Sequence, residues 1–215
     1  GEGAKSTKAV KAKGFLYKYP EASKGLLDNI SNAVVKYLVE QVRSGAQMVQ
    51  VFDSWAGELT PQLYEEFSIP YLKKIARDLK AELSRQNLPQ VPVSVFPKGA
   101  ASHALQHLAD SEYDVISLDE FIDPRKARQI APNKVLQGNL DPSILYLESE
   151  VIASETRKMI DVFGTQHYIA NLGYAVDKSM DPELVGSFVR EVQRYSAQKV
   201  ADNKAETSTP SLQAA

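Results

Sequence analysis

Five short apolar runs each end in residues able to bind or donate. The run 46–52 delivers Asp53 and Ser54, an acid and a hydroxyl. The run 91–96 ends before Lys98-Gly99, and 113–118 ends at Asp119. The run 134–138 leads through Gln137-Gly138-Asn139 to Asp141, and 167–171 ends at Asn171, followed by Tyr174. Such a set of carboxylates, amides, hydroxyls and one ammonium can hold a small polar or anionic ligand. For each member there is a plainer reading. Asp53, Asp123 and Asp141 precede helix signals and fit N-caps. Lys98 fits a solvated loop lysine, and Tyr174 fits a space-filler. His103 and His107 have the i, i+4 spacing of metal ligands, without an acidic or thiol partner between them. His167, at a strand start, reads as structural. No nucleophile–base pair and no metal cluster stands out.

The elements that would position these residues follow from periodicity. A helical pattern over 21–44 carries Leu26, Leu27, Ile30, Val34, Tyr37, Leu38 and Val42, and Gly45 ends it. A second pattern spans 61–86, with Pro70 as a kink. Shorter helices are expected over 100–109, from Asp123-Pro124 to Ala131, and after Asp141-Pro142. Longer ones are expected over 148–163 and from Asp181-Pro182 to about Val200. Between them lie the five runs, with no hairpin signals. Strand–helix alternation of this kind means a parallel sheet with right-handed crossovers.

Two α/β folds fit: a doubly wound open sheet or a (β/α)8 TIM-type barrel. No strand is followed by a Gly-rich phosphate loop, which removes the usual reason for the first. Polar residues at the C-terminal ends of all the strands are what barrels show. The barrel is therefore favoured, with this chain supplying about five βα units of a partial barrel. A closed barrel needs eight, so either three strands come from elsewhere or the barrel is partial.

Composition narrows the function classes. The 215 residues carry a net charge of −2 and 43% apolar residues. No basic excess argues for nucleic acid, and no apolar run reaches the ~20 residues needed to cross a membrane. The absence of cysteine removes disulfides and thiolate chemistry. Residues 1–20 read as a Gly/Lys-rich lead-in loop without a targeting core, 21–200 as the folded part, and 201–215 as a disordered tail.

Several motifs together resemble the uroporphyrinogen decarboxylase family. They are Phe52-Asp53-Ser54-Trp55-Ala56-Gly57, Leu136-Gln137-Gly138-Asn139-Leu140-Asp141-Pro142, Tyr168-Ile169-Ala170-Asn171-Leu172-Gly173 and Asp181-Pro182-Glu183-Leu184-Val185-Gly186-Ser187-Phe188. Residues 11–23 and Phe96-Pro97-Lys98-Gly99 fit as well, so the likeness covers about 1–198 in order. The resemblance implies a barrel enzyme, commonly a homodimer with facing clefts. It implies stepwise removal of the four acetate carboxylates of uroporphyrinogen III to give coproporphyrinogen III, in porphyrin and heme biosynthesis. Neither cofactor nor metal is implied. With no cofactor as electron sink, the pyrrole ring must accept the electrons as carbon dioxide leaves. That needs a carboxylate near the pyrrole N–H groups, cations for the substrate carboxylates and a proton donor.

In the family the central Asp and the arginines lie in the N-terminal part of the barrel, before the region matched here. No catalytic residue is therefore assigned to this chain. Ser54 carries over as a contact to a substrate carboxylate and Phe52 as a cleft wall. Tyr174 stands where the family has a histidine that reaches the substrate. A phenol with a pKa near ~10 donates a hydrogen bond but is not a cation at neutral pH. Ala175 replaces a family glycine, Val176-Asp177-Lys178 departs from the usual continuation, and Glu120 stands where an aromatic is common.

Two function classes follow. One is a decarboxylase chain whose partners are the porphyrinogen substrate and either a second copy or a chain completing the barrel. The other is an inactive relative kept as a structural or binding subunit, which Tyr174 favours. A methyltransferase-type barrel is a third, weaker option, since such barrels usually carry zinc ligands. Neither nucleic acid nor membrane insertion is expected. The Tyr168–Gly173 motif is closer to cytosolic eukaryotic forms, which implies a cytoplasmic place, with a plastid or organellar assembly as the other option.

Overall fold

A computed structural model describes residues 3–208, with side chains for 9–204. Five parallel strands form one sheet: β1 (Val49–Asp53), β2 (Val93–Pro97), β3 (Val115–Ser117), β4 (Val135–Leu140) and β5 (Tyr168–Leu172). Eight α-helices accompany them among the described residues. They are α1 (Gly3–Lys18), α2 (Pro20–Arg43), α3 (Pro61–Phe67), α4 (Ile69–Arg85), α5 (Ala101–Ala109), α6 (Pro124–Ile130), α7 (Ser149–Phe163) and α8 (Pro182–Ser208).

The strand order is β1-β2-β3-β4-β5, every pair parallel. A doubly wound sheet reverses its order at a switch point, whereas a barrel arc does not. The sequential order resolves the two alternatives left by periodicity in favour of the barrel. The helices pack in the same succession, α4 on α5, α5 on α6, α6 on α7 and α7 on α8, as one belt on one side of the sheet. Among the described residues, β1 and β5 each have one strand neighbour, so both outer edges are open.

Alternation along the strands sets the core. Val93, Val95, Ile116 and Leu136 are buried with Leu79, Leu83, Leu105, Leu108, Ile152 and Ile160 from the helix belt. Each such side chain contributes about 1.5–3 kcal/mol of burial free energy. The opposite strand positions are mostly polar or aromatic and face the hollow side.

Three expectations are corrected. Residues 3–18, expected as a loop, are helix α1. Lysines and alanines among these residues are strong helix formers, and they outweigh the glycines that pointed to a loop. The segment 61–86 is two helices, not one kinked helix. It breaks at Ser68, and Pro70 sits in the first turn of α4, where its missing N–H costs nothing. The last helix runs to Ser208, past the expected end near Val200 and into the segment expected to be disordered. The remainder of that segment, 209–215, lies outside the described residues. No helix among the described residues is long and apolar enough to cross a membrane.

Candidate functional site

The hollow face of the sheet opens at the C-terminal ends of the strands into a cavity of ≈ 430 Å³. Gln50, Phe52 and Ser54 line it from β1 and the residue after it, Phe96 and Ser117 from β2 and β3, Gln137 from β4, and Asn171 to Ala175 from β5 and its loop. On β1, Gln50, Phe52 and Ser54 are alternate residues, i and i+2, because only every second strand side chain points to the hollow side. Register places Phe52 beside Phe96, and the rings meet edge to face with centroids 6.3 Å apart. Phe52 is 66% exposed, and Tyr174, across the cavity, is 46% exposed. Deeper in, Ser94 and Ser117 share a hydrogen bond of 3.2 Å between their hydroxyls.

Among the described residues, the side chains of Gln50, Ser54 and Gln137 have no hydrogen-bond partner within the protein. Asn171 spends its carbonyl oxygen on the Leu172 amide at 2.8 Å and keeps its amino group. The cavity floor is thus a set of uncharged donors and acceptors bordered by three aromatic rings. At the rim, outside the lining itself, the Lys98 Nζ stands 3.6 Å from the centroid of the Tyr174 ring.

The sequence-derived candidates divide between the two sides of the sheet. Phe52, Ser54 and Tyr174 come together at the cavity. Asp53 does not. It follows Phe52, so it points to the helix side, beside the Tyr64 hydroxyl. Burial raises its pKa above the ordinary carboxylate value, and the Tyr64 hydroxyl and Trp55 amide only partly offset this. The buried Tyr64 hydroxyl makes no well-formed hydrogen bond, and its own pKa is pushed up by burial and by the Asp53 charge.

Asp119 and Asn139 were candidates for the mouth, and both serve as braces. The Asp119 carboxylate, 2% exposed, accepts the Gly99 amide at 2.6 Å and the Phe121 amide at 3.1 Å. The Asn139 amino group donates to the carbonyls of Asp119 and Ile122 at 2.8 and 2.9 Å. Asp123 and Asp141 are N-caps, as their plainer reading held. Glu120 lines a separate cavity on the helix side with Asn139 and Met159.

Neither histidine of the i, i+4 pair faces the site. His103 packs edge-on against Tyr64, and burial, then the His107 charge, lowers its pKa. His107 Nε2 lies 3.8 Å from a Glu65 carboxylate oxygen. Among the described residues there is no group of three or more His, Cys, Asp or Glu that could hold a metal ion. His167 immediately precedes β5, with its carbonyl accepting from Arg128 at 2.9 Å and from the Leu136 amide at 3.0 Å.

Sequence reasoning missed the lacing of the rim. The Lys98 amide donates to the Asp53 carbonyl at 3.1 Å, and the Gly57 amide to the Lys98 carbonyl at 2.9 Å. The Gly173 amide donates to the Leu140 carbonyl at 2.7 Å. With the Asp119 and Asn139 bonds these join all five loops into one belt. The belt demands close approach: a Cβ on Gly173 would lie 2.8 Å from the Glu120 Cα. The glycines were visible in the sequence, but what they approach depends on the fold.

A family model described as "Uroporphyrinogen decarboxylase (URO-D)" matches residues 1–195. A protein named uroporphyrinogen decarboxylase from Danio rerio is 47% identical over 198 residues, covering 92% of this chain and 53% of that protein. Its namesake from Schizosaccharomyces pombe is 44% identical over 200 residues, 91% of this chain and 55% of the relative. That from Salinibacter ruber is 46% identical over 197 residues, 91% and 53% respectively. The chain thus spans about half the length of these relatives. Among solved structures, a methyltransferase from Methanosarcina mazei superposes with a TM-score of 0.73 at 18% identity, over 85% of this chain and 52% of the other. At that identity the likeness concerns the fold alone.

Proposed function

Because this chain belongs to the uroporphyrinogen decarboxylase family, we propose that its hollow sheet face is one wall of a porphyrinogen cleft. The assembled protein then removes acetate carboxylates from uroporphyrinogen to give coproporphyrinogen. The observation that carries this reading is the convergence of Phe52, Ser54 and Tyr174 on one cavity at the C-terminal strand ends.

The chemistry of the cavity suits that ligand. A porphyrinogen has four pyrroles with apolar faces and carboxylated arms. Phe52 and Phe96 supply aromatic surface for such faces, and the unpaired Ser54 hydroxyl donates to a carboxylate. As each carbon dioxide leaves, its bonding electrons pass into the pyrrole, and a proton replaces it on the side-chain carbon. The groups on this wall bind and orient. The acid that steadies the pyrrole N–H groups and the arginines belong, by family resemblance, to the preceding βα units. Those units, on the same polypeptide or another, cover the open edges of β1 and β5.

Anaerobic incubation of uroporphyrinogen with the native assembly, with products separated by chromatography, tests the proposal. Stepwise appearance of seven-, six-, five- and four-carboxylate products supports it. An intact assembly without turnover contradicts it and leaves the structural-subunit reading.

A further inference from the structure

Lys98 is held by an aromatic ring and not by a carboxylate. Lys24, Lys74, Lys80, Lys158 and Lys199 each sit within ion-pair distance of a carboxylate. Lys98 has no such pair among the described residues and rests on the face of Tyr174, 3.6 Å from the ring centroid. The difference matters chemically. A carboxylate neutralises an ammonium and occupies its N–H bonds. A ring face attracts the charge through its quadrupole and leaves both the charge and outward N–H bonds for a ligand.

The base of this side chain is also fixed. Its amide and its carbonyl are both hydrogen-bonded, to Asp53 and Gly57, across the rim loops after β1 and β2. Four other rim carboxylates point or bond elsewhere. Asp53 faces the helix side, Asp119 holds two backbone amides, Glu120 lines the helix-side cavity, and Asp177 caps Ser179. The cavity next to Tyr174 offers only uncharged donors, from Gln50, Ser54, Gln137 and Asn171. A carboxylate entering there meets one unneutralised cation.

We infer that Lys98, seated on the Tyr174 ring, binds a carboxylate arm of the ligand in this cavity and fixes the orientation of that arm. The inference rests on the porphyrinogen reading and names this chain's cationic contact to the substrate. Tyr174 then acts as a positioning residue: its ring face, not its hydroxyl, sets where the ammonium stands.

The test is titration of the native assembly with uroporphyrin, the air-stable octacarboxylate, followed by porphyrin fluorescence at several salt concentrations. Lys98→Met is expected to raise the Kd about ten-fold and to flatten its salt dependence, as loss of one charge-assisted contact does. Lys98→Arg retains most of the affinity. Tyr174→Phe, which keeps the ring, retains the parent's salt dependence, and Tyr174→Leu, which removes it, flattens that dependence and loses several-fold. Thermal melts alongside confirm that each variant is folded. If the parent binds and Lys98→Met binds equally well, the lysine merely packs, and the inference fails while the porphyrinogen reading stands. If the parent itself does not bind uroporphyrin, both fail.

Discussion

Asp53 and Ser54 are neighbours in sequence and lie on opposite sides of the sheet. Both were legible as strand-end polar residues. Which of the two faces the hollow side depends on strand phase, and a shift of one residue exchanges the faces. No local signal sets that phase. Asp53 consequently meets apolar packing instead of ligand, and its pKa is raised by burial. The folded chain therefore holds that proton more tightly than the unfolded chain, whose carboxylate titrates near ~3.9. The stability from this group is full below that pH and is lost as pH rises through the folded pKa. Asp53→Asn keeps the shape and removes the charge. It is expected to raise the melting temperature at pH 7 and to leave it unchanged near pH 3, read by calorimetry at both values. An equal shift at both would mean that the charge is not what burial opposes.

The glycines and Asp119 act at the level of the loops that join strands to helices. Gly138 has a φ of +137°, and a Cβ there would lie 2.7 Å from the Leu118 carbonyl oxygen, so side chains are excluded twice over. Gly173→Ala forces the loop after β5 away from Glu120 and is expected to cost about 1–3 kcal/mol in urea unfolding, as overpacking does. Asp119→Ala leaves the Gly99 and Phe121 amides without an acceptor, an expected loss of about 3 kcal/mol, with Asp119→Asn intermediate. On the far side, α8 is tied to α7 through Glu191, which meets Arg157 at 2.8 Å and Arg194 at 2.6 Å. These cations, Arg194 first, hold the Glu191 carboxyl below its usual range. Its stabilisation is present above the ordinary carboxylate pKa and fades as pH falls through the lowered one. Both arginines are partly exposed, so Glu191→Gln is expected to cost only about 1 kcal/mol at pH 7. At this scale the sequence was most readable. All five strands overlap the runs that periodicity marked, and every crossover is helical, because apolar spacing is a local property. Helix α1 escaped because glycines among its lysines and alanines resemble loop composition, and the break at Ser68 escaped because Pro70 fits a kink and a helix start equally well.

The molecule as a whole is an arc of a barrel, with its helix side closed and its hollow side open. The uniform strand order makes every C-terminal strand end face one mouth, so the site and the fold have the same cause. The family was readable from motifs because those motifs are the strand ends and rim turns. The pairing of Lys98 with Tyr174 was not readable, since the two are 76 positions apart and meet only when β2 and β5 loops converge. The central claim is that a carboxylated tetrapyrrole lies against this hollow face. Hydrogen-exchange mass spectrometry of the native assembly, with and without uroporphyrin, tests it most directly. Peptides covering 50–57, 96–99 and 171–176 are expected to gain protection on binding, while those covering the opposite end of the sheet, around Val91 and His167, stay unchanged. Protection confined to that opposite end, or to the outer faces of the helices, would contradict it.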